Sequence, residues 1–152
     1  MIQRIQTVYL FIASLLVALT GWMPMAEMAR GTEVFRFTAK GIFDTATQQL
    51  VINGWPLLVM AIIICALQMV TIFLYKKRML QIRISTFNLI LMIGFIGVSW
   101  FFIHSSKKTM GEFVYAFKAA ISFPLVAAIL NYLAIRAIGR DEALVRSVDR
   151  IR

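Results

Sequence analysis

One histidine, one cysteine and a few serines are the residues of this sequence best suited to covalent or metal chemistry. None has the company that chemistry requires. His104 stands at the end of an apolar run with no acid nearby that the sequence can place. Ser14 and Ser99 lack an identifiable base, and a hydroxyl without one is a weak nucleophile. Cys65 lies within an apolar run, where a thiol behaves as a small hydrophobe. As the lone cysteine it permits no internal disulfide. No stretch has metal-ligand spacing, and none has a glycine loop of the phosphate-cradling kind. The sequence therefore predicts no catalytic residue, no metal and no cofactor, and a protein that is not an enzyme.

Two polar sets remain. The first is Gln68, Asn88 and Asn131, amides inside otherwise apolar runs. At about 1.5 Å of rise per helical residue, Asn88 lies roughly 8 Å in from Arg83 and Asn131 roughly 8 Å in from Arg136, while Gln68 lies roughly 12 Å in from Lys76. The three share a depth. They can join helices by hydrogen bonds worth on the order of 1 kcal/mol each, or form a seam that holds a headgroup or small solute. The second set is cationic: Arg4, Lys76, Lys77, Arg78, Arg83, Arg146, Arg150 and Arg152 group at one end of the expected architecture, with Gln3 beside them, and read as a partner-binding face. Asp141, Glu142 and Asp149 lie close in sequence and can pair with these cations.

The elements that must position these residues follow from composition. The chain has 152 residues, 61% hydrophobic and 15% charged, against roughly half and a quarter in soluble domains. A chain this short cannot hide several long apolar runs from water. A span needs about 20 mostly apolar residues. Four runs qualify, at about 7–25, 55–75, 84–103 and 114–138, and Lys118 in the last is placed to snorkel. The first is read as a retained helix rather than a cleaved leader, because cutting after Ala26 or Ala29 puts Pro24 or Glu27 three residues upstream of the cut. No Asp or Glu lies inside a run, which argues against a proton- or cation-coupled transporter.

Charge orients the runs. The net charge is +9. Arg4, Lys76, Lys77, Arg78, Arg83, Arg136, Arg140, Arg146, Arg150 and Arg152 flank one side, ten in all, against six on the other: Arg30, Arg36, Lys40, Lys107, Lys108 and Lys118. The positive-inside rule puts both termini in the cytoplasm and gives the chain anionic headgroups as neighbours. Residues 26–54 form the sizeable outer loop. There Val34 to Lys40 partly alternates, Gly41 ends it, and Gln49 to Ile52 followed by Asn53-Gly54 offers a partner strand for a short β-hairpin. Residues 139–152 read as a helical cytoplasmic tail with Leu144, Val148 and Ile151 on one face. Ala116, Ala120, Pro124 and Ala128 make a smooth stripe expected to meet Gly94 and Gly97, with Pro124 kinking the fourth helix. The expected architecture is an all-α membrane protein, one domain over 1–152: a four-transmembrane-helix bundle, an extracytoplasmic hairpin and a cytoplasmic C-terminal helix.

Several segments carry a resemblance. Met1-Ile2-Gln3-Arg4-Ile5-Gln6-Thr7, Phe73-Leu74-Tyr75-Lys76-Lys77-Arg78 with Gln81-Ile82-Arg83, and Leu130-Asn131-Tyr132-Leu133-Ala134-Ile135-Arg136-Ala137-Ile138 followed by Asp141 to Arg152 resemble the family of small membrane proteins catalogued as domain of unknown function 4293, found in Bacteroidota. The resemblance covers the whole chain. It implies a four-helix protein of the bacterial inner membrane with no assigned reaction, and it carries over no catalytic residue. The expectation from residues and resemblance together is a non-enzymatic accessory or scaffold subunit that docks a partner protein or complex through its basic cytoplasmic face. A small transporter or lipid-binding protein using the seam of Gln68, Asn88 and Asn131 is the alternative. Contact with nucleic acid or the ribosome through the tail is weaker, because its four arginines are offset by three acids.

Overall fold

The computed structural model describes residues 3–75 and 77–149. Four helices run antiparallel in chain order: α1 (Gln3–Thr20), α2 (Trp55–Phe73), α3 (Arg78–Met110) and α4 (Phe123–Asp149). Each packs on two neighbours, α1 on α2 and α4, and α3 on α2 and α4, so the ring closes. Five strands complete the fold: β1 (Ala26–Arg30), β2 (Glu33–Thr38), β3 (Gly41–Asp44), β4 (Leu50–Asn53) and β5 (Val114–Phe117). They form one antiparallel sheet in the order β4-β3-β2-β1-β5.

The all-α expectation is thus overturned. The outer loop holds four strands rather than a two-stranded hairpin. Gln49 to Ile52 does not pair with Val34 to Lys40, because β3 lies between them. The expected fourth span at 114–138 begins too early. Val114 to Phe117 pairs with β1, a short 3-10 turn covers Ala119–Ser122, and only then does α4 start. Pro124 consequently sits in the first turn of α4, where its missing N–H costs nothing, and not mid-helix as a kink. The tail is no separate helix: α4 runs unbroken to Asp149.

Three helices, Trp55–Phe73, Arg78–Lys108 and Ala119–Val145, are long and apolar enough to cross a membrane. The first helix falls short of the expected 7–25 run, which is the second departure from a four-span bundle. Beyond Thr20 the chain turns, with the Gly21 N–H donating to the Ala18 carbonyl.

Buried positions recur at steps of three and four. On α2 they are Leu57, Ala61, Ile64, Gln68 and Thr71. On α3 they are Gln81, Ser85, Asn88, Met92, Phe95, Ser99, Ile103, Ser106 and Met110, and on α4 Pro124, Ala127, Ala128, Asn131, Ala134, Ile138 and Asp141. This is the spacing of a supercoiled seam. The outward faces carry large apolar side chains: Ile62 and Ile63, Phe87, Ile90 and Ile93, Leu125 and Ile129.

The sheet caps one end of the ring. Met28 of β1, Phe35 and Phe37 of β2 and Ile42 of β3 alternate onto its inner face and join the helix core. Two glycines bring the sheet against the start of α2. Gly41, at φ +138°, has no room for a Cβ, which would lie 2.2 Å from the Ile52 carbonyl oxygen, and a Cβ on Gly54 would lie 2.6 Å from the Gly41 nitrogen. The β3–β4 turn is held by Asp44, whose carboxylate accepts from the Ala46 N–H at 2.8 Å and the Thr47 hydroxyl at 3.0 Å. Those bonds, the backbone one foremost, hold its carboxyl below the usual range, so their contribution is present near neutral pH and fades as acid protonates the group.

Ala29 and Val114 are exposed register partners on β1 and β5. Antiparallel partners lie about 4.5–5.5 Å apart at Cα, within disulfide reach. With Cys65 replaced by Ala, the Ala29→Cys/Val114→Cys variant is expected to cross-link on mild oxidation, read as a mobility shift reversed by reductant. A helix starting at Val114 would leave the pair unlinked.

Candidate functional site

The connectivity sorts the chain into two ends. All four sheet connections lie at one end of the ring, so the α2–α3 link, the start of α1 and the end of α4 meet at the other. At the sheet end, cations find local partners. Lys118 bonds Glu27 at 2.8 Å and Arg30 approaches Glu33 at 3.8 Å, while the Arg30 guanidinium donates to the Met110 carbonyl at the end of α3. Lys40 lies over the Trp22 ring at 5.6 Å and Lys107 over Tyr115 at 5.4 Å.

The opposite end is organised around Asp141. It is buried, and its carboxylate accepts from the Gln6 side-chain amide at 2.6 Å, which fastens α1 to α4. Its backbone carbonyl accepts from Arg78 at 3.3 Å, which ties in the first turn of α3. Gln81, also buried, donates to the Thr71 carbonyl at 3.1 Å across the α2–α3 link. One acidic residue thus gathers three helices by side chain and backbone.

On either side of this knot lies a cationic depression. The larger, of about 770 Å³, lies between the α2–α3 link, the first turns of α3 and the end of α4, and Lys77, Arg78 and Arg83 line it with Tyr75 and Glu142. The smaller, of about 340 Å³, lies between α1 and α4, with Arg136, Arg140 and Tyr9 on its walls. Lys77, Arg83, Arg136 and Arg140 are exposed and make no ion pair among the described residues. Such an arrangement attracts carboxylates, phosphates or an acidic protein surface; it contains no nucleophile–base pair.

Of the predicted partner-binding residues, Lys77, Arg78 and Arg83 come together in the larger depression. Gln3 and Arg4 fall in the first turn of α1, and Arg146 near the end of α4, but their side chains lie outside the description. Lys76, Arg150 and Arg152 lie outside the described residues. Arg136 and Arg140 read from the sequence only as topology charges; their spacing of four places them on one helix face, the signal that could have nominated them.

Gln68, Asn88 and Asn131 are each fully buried within the ring. Asn88 donates to the Ile64 carbonyl of α2 at 3.2 Å, and Asn131 to the Ser85 carbonyl of α3 at 2.9 Å. The amides reach backbone rather than one another. Neither Gln68 amide atom has a partner among the described residues, nor do the Asn88 and Asn131 carbonyl oxygens or the Ser85 hydroxyl.

The expected packing stripe does not form on one helix. Ala116 lies exposed on β5, Ala120 is buried in the 3-10 turn, and only Pro124 and Ala128 are buried on α4. Gly94 faces Met60 of α2, whose terminal methyl would lie 3.6 Å from an added Cβ, and Gly97 faces open space. Neither glycine meets the stripe.

A family model described as "Domain of unknown function (DUF4293)" matches residues 2–151. None of the curated proteins matches the chain.

Replacing Asp141 by Ala removes the Gln6 acceptor and leaves a buried amide unpartnered, a loss of about 1–3 kcal/mol. Asp141→Asn keeps an acceptor oxygen and is expected to lose less. Thermal unfolding of the detergent-solubilised variants checks the order Ala below Asn below the natural protein.

Proposed function

The chain belongs to the DUF4293 family, and on that premise we propose that it is a non-enzymatic membrane-embedded accessory or scaffold protein that docks an acidic partner through the end of the ring opposite the sheet. The observation that carries this reading is the larger depression. Lys77, Arg78 and Arg83 surround one open volume, over a base fixed by Asp141 and Gln81. A surface so braced presents its charges without having to order first, and that lowers the cost of association.

The bilayer itself belongs to the proposal. Apolar outward faces and a polar inner seam are the pattern expected where lipid surrounds the helices. Ten cations and three acids fall on the side of the termini and the α2–α3 link, six cations and four acids on the sheet side. The positive-inside rule then assigns the basic end and both termini to the cytoplasm, and the sheet to the outside of a bacterial inner membrane. A fluorescent reporter fused after residue 152 is expected to mature in the cytoplasm, whereas a periplasm-dependent phosphatase at that position stays inactive. The reverse result removes the orientation.

The seam of Gln68, Asn88 and Asn131 supports glue more than passage. All three side chains are without solvent exposure, and two of them spend their amide donors on neighbouring helices.

A gentle-detergent pull-down of the tagged full chain tests the docking proposal. A stoichiometric partner is expected with the natural protein, weakened about tenfold, or roughly 1.4 kcal/mol, in the Lys77→Glu/Arg83→Glu variant. A folded natural chain that captures no stoichiometric partner, or a variant that captures it equally, overturns the reading.

A further inference from the structure

A second concavity has a different chemistry and faces sideways. Between α1 and α2, toward the sheet end, lies a slot of about 500 Å³. Ser14, Ala18 and Gly21 form one wall, and on α2 the small Ala61, Cys65 and Ala66 lie among Leu58, Ile62 and Met69. On α2 the slot extends from Leu58 to Met69, about 16 Å at the helical rise. Almost no polar atom reaches it. The Cys65 thiol, the one candidate donor on its α2 wall, donates to the Ser14 carbonyl across the floor at 3.6 Å.

The outer end of the slot is unlike the rest. Lys40, from the β2–β3 turn, and Trp22, just past α1, both line it, with the ammonium 5.6 Å from the indole centroid. Lys40 is exposed and pairs with no carboxylate among the described residues. The indole sets the cation at the mouth rather than neutralising it. Trp is favoured at the junction of hydrocarbon and headgroups, and Lys is attracted to anionic ones.

A long slot without polar walls asks for hydrocarbon, and a single unpaired cation at its mouth asks for an anion attached to that hydrocarbon. From this juxtaposition we propose that the α1–α2 slot holds an acyl chain of an anionic phospholipid, with the headgroup on Lys40 and Trp22. A helix from a second copy fits less well, because it brings no anion to Lys40 and a helix about 10 Å wide does not enter a slot floored by a cross-slot hydrogen bond. The proposal uses the sheet end and is independent of partner docking at the basic end. It shares with that reading only the placement of α2 in a bilayer.

The test uses the full chain in detergent, stripped of lipid and then offered equal amounts of phosphatidylglycerol and phosphatidylethanolamine, with bound lipid read by native mass spectrometry. One retained phosphatidylglycerol per chain is expected, favoured about tenfold over the zwitterionic lipid. Lys40→Gln is expected to abolish the preference. Ala66→Phe, at an exposed position on the slot wall, is expected to abolish retention of both lipids while the chain stays folded. Because Cys65 is the sole cysteine, its reaction with a membrane-permeant maleimide gives a second readout, expected to slow when phosphatidylglycerol is added and not when phosphatidylethanolamine is. Equal retention of the two lipids, an unchanged preference in Lys40→Gln, lipid-independent maleimide kinetics, or a dimer that Ala66→Phe dissociates would each overturn the proposal.

Discussion

A few polar side chains held inside the ring, with large apolar ones also turned outward, form the constraint on which the rest of this molecule depends. A helix surrounded by hydrocarbon gains little by burying more hydrocarbon against its neighbour. Association then rests on close contact and on hydrogen bonds that lipid cannot replace. On the proposed membrane-embedded reading, the buried seam answers that condition. Asn88 and Asn131 each bond a backbone carbonyl on the next helix, and the hydroxyls of Thr71, Ser99 and Ser106 bond back within their own helices. Spacing of three and four keeps these groups on one stripe along α2, α3 and α4. The same spacing leaves Ile62, Phe87, Ile90 and Ile129 facing out.

The two ends of the ring solve opposite problems. At the sheet end, two cations meet acids across short distances. Lys118 meets Glu27, Arg30 meets Glu33 and the end of α3, and aromatic contacts such as Trp100 on Phe117 fix β5 beside the helices. At the other end the buried acid is used as a structural knot. Asp141 spends its carboxylate on Gln6 and its carbonyl on Arg78, and Lys77, Arg83, Arg136 and Arg140 around it stay exposed. An apolar slot between α1 and α2 and a basic depression at the end opposite the sheet make two distinct surfaces in 152 residues.

Much of this was legible from residue types, and the failures have physical reasons. Long apolar runs located α2, α3 and most of α4, because hydropathy over twenty residues is a strong signal. The alternation of Phe35 and Phe37 announced β2. β1 was hidden because Ala26-Glu27-Met28-Ala29 is built of good helix formers, and it becomes a strand only through pairing on both edges with β2 and β5. β5 was hidden because Val114-Tyr115-Ala116-Phe117 is apolar and continuous with the run that follows, so hydropathy merges strand and helix. That merger displaced the start of α4 and misread Pro124. The grouping of Lys77, Arg78 and Arg83 followed from adjacency in sequence. The Gln6–Asp141 contact joins residues near the two termini, a long-range pairing that a single sequence does not reveal.

The sheet is assembled from two stretches of chain that emerge at different times. Strands β1 to β4 are contiguous and can pair as soon as the segment between α1 and α2 is exposed. The last strand, which completes the β1 edge, arrives only after α2 and α3 have been made. Completion of the sheet therefore requires that α3 has brought the chain back to the sheet end. Until then the β5-facing backbone groups of β1 stand open as an unpaired edge, the kind of edge through which chains pair wrongly.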